Sequence, residues 1–472
     1  MNRPHIVFIM ADDMGYGDLG CYGATKISTP HMDRVASEGI RFTDAHSASA
    51  VCTPSRYGVL TGRYCWRSAK KRWVNTGFSL PLVDPARLTV ASLLQSQGYG
   101  TAAIGKWHVG LEWQAKEGQF VHTDVLEDQG NLDYTKPILS GPNDLGFDHF
   151  FGISASLDMP PYCFIENRHT VGLPTEEKSP YHAQQRKGTM TPGWKDEQVD
   201  VRFAEEAVQF IERHVKQRSK DPFFLYLTPS SPHRPCVPPA FLQGASQAGP
   251  RGDSVMVVDW VVGQILDALD RLHLAENTLI IVTSDNGARL ADVDGETYGH
   301  KACGDWRGCK ADIWDGGHRE PFVCRWPGKI EPGTVSQATI CLTDLISTCA
   351  AIVGETLPRH AAEDSCSLLS VLTGQRSGEN LREALVHHSG EGLFAVRKDQ
   401  WKLVFGLGSG GFTDPKSEDP APGGPKGQLY DMEKDPQEGC NLWLERKDVV
   451  DELASVLERF RLQGRSVPFD TP

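Results

Sequence analysis

Cys52 opens the stretch Cys-Thr-Pro-Ser-Arg-Tyr-Gly-Val-Leu-Thr-Gly-Arg, residues 52–63. Pro54 suits a first helical turn, where a missing N–H costs nothing, and Gly62 suits the stop. The thiol then stands at a helix N-terminus, where spare N–H donors and the helix dipole favour negative charge. Arg56, one turn on, falls on the same face. Taken alone, the stretch is either an anion site with a thiol in it or a plain helix start with a buried cysteine.

Two further places carry paired polar groups. Asp12 and Asp13 follow the apolar run His5–Ala11, and Asp285-Asn286-Gly287 follows Thr278–Thr283. Both runs read as fully buried strands, and open α/β sheets bind ligands beyond the carboxyl ends of such strands. Each pair is either a solvated turn or half of one oxygen-ligand metal site assembled from distant parts of the chain. Lys106 and His108 lie in Gly-Lys-Trp-His-Val-Gly, and point the same way if that segment is extended. His233 sits in a proline-stiffened loop after the apolar strand 222–228, where it either packs or is held for use.

Alternating strands and helices must position these groups. Helices are predicted at 30–39, 89–97, 199–218, 253–272 and 343–353, with strands between them at 41–43, 99–104, 147–156, 222–228, 278–283 and 322–326. The polar, Pro/Gly-rich stretches 112–145 and 158–198 read as long loops over the site. After about residue 375 the pattern changes to short strands at 384–388, 393–398 and 400–405, with a hairpin turn at Asp399. A Gly/Pro/Ser-rich segment, 406–427, reads as mobile, and a last helix spans 447–463. The expected division is a catalytic domain, 1–375, and a C-terminal subdomain, 376–472.

The 472 residues carry a net charge of −13, which leaves no nucleic-acid footprint. No run of about 18 apolar residues is present to span a membrane. The first ten residues read as a strand rather than a signal peptide, so the chain as written is cytoplasmic, or periplasmic or secreted if a leader preceded it. The twelve cysteines follow no regular spacing, and no Cys-x-x-Cys pair offers a zinc site.

Residues 52–63 match every fixed position of Cys-x-Pro-Ser-Arg-x-x-x-Leu-Thr-Gly-Arg, and so resemble the signature of the type I formylglycine sulfatases of the alkaline phosphatase superfamily. Four other stretches follow in family order: Asp12-Asp13, the Gly105–Gly110 motif, Asp285-Asn286-Gly287, and Lys310 to Pro321. Leu429–Pro436 resembles the family's C-terminal pattern. Asp315 stands where that family usually has Glu, and Cys309 where it has Gly. The resemblance implies an α/β fold: a large mixed sheet sandwiched between helices, plus a small C-terminal antiparallel sheet with one helix.

It also implies a formylglycine made from Cys52 by a maturation enzyme, its hydrate being the nucleophile. Asp12, Asp13, Asp285 and Asn286 would hold the metal. Four hard oxygen donors suit calcium, magnesium less well, and zinc poorly. Arg56 and Lys106 would hold the nucleophile, Lys106 and Lys310 the sulfate oxygens. His233, with Lys310, would protonate the leaving alcohol, and His108 would take the second proton. Ser156, His300, Lys301 and Arg307 are candidate substrate contacts, each equally a plain loop residue. The expected substrate is a sulfate monoester: an O-sulfated sugar, and also aryl sulfates. The rivals are a phosphonate monoester or phosphodiester hydrolase on the same site, and a dead glycan-binding scaffold.

Overall fold

The computed structural model describes residues 3–123, 125–128, 130–180, 185–289, 298–375 and 381–469. Its strands, in chain order, are β1 (His5–Ala11), β2 (Ile40–Phe42), β3 (Ala45–His46), β4 (Gly100–Lys106), β5 (His149–Ile153), β6 (Ile165–Glu166), β7 (His169–Thr170), β8 (Glu176–Glu177), β9 (Thr189–Met190), β10 (Phe223–Thr228), β11 (Thr278–Ser284), β12 (Phe322–Arg325), β13 (Thr334–Ser336), β14 (Ile340–Cys341), β15 (Leu385–His388), β16 (Phe394–Lys398), β17 (Trp401–Val404) and β18 (Gln428–Asp431). Ten of them form one mixed sheet in the order β13-β2-β12-β11-β1-β10-β4-β5-β6-β7. The centre is parallel: β1 lies between β10 and β11, and β4 joins β10 to β5. β12 runs antiparallel to both of its neighbours.

β1 explains the layers. Its side chains alternate, Ile6, Phe8 and Met10 to one face and Val7, Ile9 and Ala11 to the other, and all six are buried. One face packs against α2 (Cys52–Thr61), α3 (Val90–Ser96) and the helix Leu345–Val353. The opposite face packs against α1 (Pro30–Ser37), α4 (Val199–Gln217) and α5 (Gly249–Arg271). A strand buried on both sides needs the continuous apolar run that β1, β10 and β11 have. No helix among the described residues is long and apolar enough to cross a membrane.

β15 to β18 form a separate four-stranded antiparallel sheet. The helix Lys447–Gln463 covers it, with Leu453, Leu457 and Phe460 against Val396, Leu403 and Leu429. The expected domain boundary falls at residues 376–380, outside the described residues.

Four local expectations are corrected. The 158–198 stretch contains β6 and β7, which extend the main sheet, and the β8–β9 hairpin. α5 starts at Gly249, with Pro250 in its first turn, rather than at 253. The extended path assumed for Lys106–His108 breaks at His108, whose φ is +60. Within 406–427, Ser409 is buried and the N–H groups of Phe412 and Thr413 bond to Asp312, so that part of the segment is anchored.

Candidate active site

The carboxyl ends of four consecutive strands, β4, β10, β1 and β11, supply the site. Lys106 ends β4, His233 follows β10, Asp12 and Asp13 follow β1, and Asp285 and Asn286 follow β11. All ten residues of α2 are buried, and its Gly62 cap is left-handed (φ 64).

Cys52 Sγ lies 3.5 Å from Asp12 Oδ1, 3.9 Å from Asp13 Oδ1 and 3.3 Å from Lys310 Nζ. Arg56 donates from Nε to Asp285 Oδ2 at 2.9 Å and from Nη1 to the Lys106 carbonyl at 2.9 Å. Lys106 Nζ donates to Asp12 Oδ2 at 2.6 Å, and Lys310 Nζ to both oxygens of Asp13 at 2.6 and 2.8 Å. Six charged groups and a thiol thus share a space almost closed to water.

Burial pushes the Cys52 thiol well above the ordinary cysteine range, and Asp285 adds to the effect. Burial also raises Asp285, against the pull of Arg56, with Asp12 pushing the same way as burial. At Asp13 burial acts upward too, but Lys310, His233 and Lys106 outweigh it and hold the carboxyl below its usual range. Burial opposes the charge on Lys310, yet Asp13, Cys52 and Asp12 keep its pKa well above the ordinary lysine value.

Both histidines have assignable tautomers. His108 Nε2 is 2.8 Å from the Asn75 carbonyl oxygen, which can only accept, so Nε2 carries the proton. Nδ1 is then the lone-pair side, 3.5 Å from Ser156 Oγ. Burial, Lys106 and Arg56 keep the ring neutral well below its ordinary pKa. His233 Nδ1 donates to the Arg234 carbonyl at 2.7 Å, leaving Nε2 3.7 Å from Asp13 Oδ2. Asp200, from the first turn of α4, pins that loop by accepting from the Ser230 and Ser231 N–H groups at 2.7 and 2.9 Å.

The acidic cluster fits a metal. Asp12, Asp13, Asp285 and Cys52 present donor atoms within 4.8 Å of one another. Asn286 Oδ1 is buried with no hydrogen-bond partner. An orphaned amide oxygen beside three carboxylates is a donor set for a hard cation. A second cluster, His46, His318 and His387, does not fit one. The His318 and His387 rings stack at 3.9 Å and 14°, so both cannot aim in-plane lone pairs at one ion, and Lys402 Nζ lies 3.2 Å from His318 Nε2.

The four candidate substrate residues are dispersed. Ser156 is buried beside His108. His300 Nε2 is committed to Asp18 at 2.8 Å, a carboxylate also held by Arg251. Lys301 pairs with Asp305 on the surface at 2.7 Å. Arg307 stacks over Trp314 at 3.7 Å and donates to the Glu438 carbonyl. Sequence reasoning passed over Asp158, which is buried with Oδ1 4.0 Å from His233 Nδ1 and Oδ2 on Arg186. Nothing in its local sequence marks it. A cleft of about 950 Å³ lies elsewhere, between the two sheets, and is lined by Tyr16, Trp306, Arg382 and Arg397.

Comparison with known proteins identifies the family. The Sulfatase family model matches residues 4–355. An N-acetylgalactosamine-6-O-sulfatase of Bacteroides thetaiotaomicron is 36% identical over 97% of this chain and 93% of its own. Human arylsulfatase A is 33% identical over 93% of this chain and 83% of its own. A solved structure from work on the metabolism of multiple glycosaminoglycans by Bacteroides thetaiotaomicron superposes with a TM-score of 0.82 at 33% identity, covering 98% of this chain and all of that one. Similarity of this extent, along nearly the whole length, settles the family: the chain belongs to the sulfatases and is a sulfuric ester hydrolase.

Proposed function

We propose that the chain releases inorganic sulfate from an O-sulfated sugar, with Cys52, after conversion to formylglycine by a separate maturation enzyme, at the reacting position. The observation that supports this most is the placing of Cys52 Sγ within 4 Å of Asp12, Asp13 and Lys310. A sugar substrate is supported by the relative named for N-acetylgalactosamine-6-O-sulfate.

Asp12, Asp13, Asp285 and Asn286 would hold a calcium ion. When bound, such a cation offsets the mutual repulsion of the carboxylates and polarises a sulfate oxygen, while the formylglycine hydrate supplies the attacking hydroxyl. Arg56 fixes Asp285 and closes the floor of the site. Lys106 and Lys310 are the ammonium groups available to sulfate oxygens. His233 presents Nε2 toward the site and, once protonated, delivers that proton to the departing alcohol. His108 keeps a lone pair on Nδ1 and can take up a proton there. Burial of all these groups strengthens each charge contact and keeps bulk water from competing.

The test combines mass and rate. The peptide containing Cys52, taken from the native host, should carry the aldehyde rather than the thiol. Cys52→Ala should abolish sulfate release from sulfated mono- and oligosaccharides with an unchanged Tm. Turnover of an aryl phosphonate faster than an aryl sulfate, or a Cys52→Ala variant near wild-type rate, would overturn the reading.

A further inference from the structure

Lys310 sits on a turn that cannot hold its own shape. Ala311, the next residue, has φ +75, a conformation that residues with a Cβ rarely adopt. Contacts from outside the turn must impose it. Two come from the catalytic half: Lys310 N–H donates to the Ala288 carbonyl at 2.8 Å, and Ala311 N–H to that of Ala50 at 2.7 Å. The remainder come from the C-terminal part of the chain. Gly390 N–H donates to the Ala311 carbonyl and Ile313 N–H to that of Ser409, each at 2.8 Å.

Asp312 gathers the two sides. Its Oδ1 accepts the N–H groups of Phe412 and Thr413 at 2.7 and 3.0 Å. Its Oδ2 accepts Cys309 N–H at 2.9 Å and the Thr413 hydroxyl at 2.5 Å. The side chain is wholly buried, so these donors, and not water, satisfy it. The two backbones are also in van der Waals contact: a Cβ built on Gly411 would lie 2.4 Å from the Ala311 carbonyl carbon. The flanks of Lys310 are thus tied to residues 409–413 through the Asp312 carboxylate and the Ile313–Ser409 backbone bond.

We propose that Asp312 is a positioning residue for Lys310, and that segment 409–413 of the C-terminal subdomain is thereby part of the active centre. The proposal rests on the reading of Lys310 as the group that meets the sulfate and the leaving oxygen. Lys310 Nζ must reach Asp13 at 2.6 Å and Cys52 Sγ at 3.3 Å from the end of a flexible stem. Its aim is set by where the turn puts its Cα. Releasing the carboxylate lets the turn relax toward an ordinary φ and carries the ammonium off target, and misplacement of about 1 Å is enough to cost ~10²-fold in rate.

A double-mutant cycle on the full-length, matured enzyme tests this. Asp312→Ala should lower kcat about 10–100-fold with a smaller change in KM. In a Lys310→Ala background, the same substitution should cost less than about 2-fold, because the group it positions is gone. Thr413→Val, which removes one donor from Oδ2, should show a smaller loss with the same non-additivity, and serves if Asp312→Ala does not fold. Equal losses in both backgrounds, or a wild-type kcat for a folded Asp312→Ala or Thr413→Val protein, would sink the positioning role. A Lys310→Ala enzyme with wild-type turnover would instead sink the reading of Lys310, and the proposal with it.

Discussion

In the proposed reaction His233 faces two opposed demands. To protonate a leaving alcohol it must carry two ring protons, yet burial, reinforced by Lys310, lowers its pKa to about 4. A sulfate ester brings negative charge to Nε2 and shifts the balance back, so the imidazolium belongs to the substrate complex rather than to the free enzyme. The proton matters only where the leaving group is poor. His233→Ala should therefore slow a sulfated sugar about 10²–10⁴-fold while leaving an activated aryl sulfate much less affected. Measuring both rates on one preparation checks it, and equal losses would remove His233 from the proton-donor role. The same scale shows what sequence could not reveal. Cys52, Asp12 and Asp285 announce themselves by lying at strand or helix ends in a recognisable order. Asp158, Asp200 and Asp312 are equally buried and equally placed, but each acts on a loop far away in the chain. No periodicity or local spacing encodes such a partner.

At the scale of elements, α2 is buried along its whole length. Its Gly62 cap has φ 64, and a Cβ there would lie 2.4 Å from Ile346 Cγ2 and 2.9 Å from Ser365 Cβ. Gly62→Ala should combine backbone strain with overpacking and cost about 2–4 kcal/mol. Denaturant unfolding would measure it, and a loss under ~0.5 kcal/mol would mean that the helix end can shift freely. Such a variant should lose activity in step with stability, because α2 carries Cys52 and Arg56 at its other end. This helix was readable from Pro54 and Gly62, as β1 and β11 were from their unbroken apolar runs. β6 and β7 were not readable, because two-residue strands in a polar, Pro/Gly-rich stretch carry no periodicity. The early start of α5 was hidden by Gly249-Pro250, which looks like a breaker but serves as a first turn.

Across the whole molecule, the joint between the two sheets buries three imidazoles. His46 lies in β3, His318 ahead of β12 and His387 in β15, and burial leads the lowering of all three pKa values below the ordinary 6.5. Above that pH the rings are neutral in both folded and unfolded chains and leave stability unchanged. As pH falls through about 6.5, the unfolded chain takes up protons that the folded one refuses, so stability declines by up to about 1.4 kcal/mol per pH unit for each ring. Tm should fall steadily on acidification from pH 7 to 5, and His387→Gln should flatten that slope. A slope unchanged in the variant would place the sensitivity elsewhere.

The buried position of Cys52 also has a consequence in time. Its sulfur is contacted by Asp12 and Asp13, which follow β1, and by Lys310, so the covered state needs the chain at least as far as residue 310. A ribosome adding about 5–20 residues per second needs roughly 13–52 seconds to go from residue 52 to residue 310. Until then that cover is incomplete, and in the folded chain Cys52 is 1% exposed. Under the proposed conversion of Cys52, the modifying enzyme would compete with synthesis itself. The fraction of active molecules in any preparation should follow the speed of translation and the supply of that enzyme, more than the stability of the finished fold.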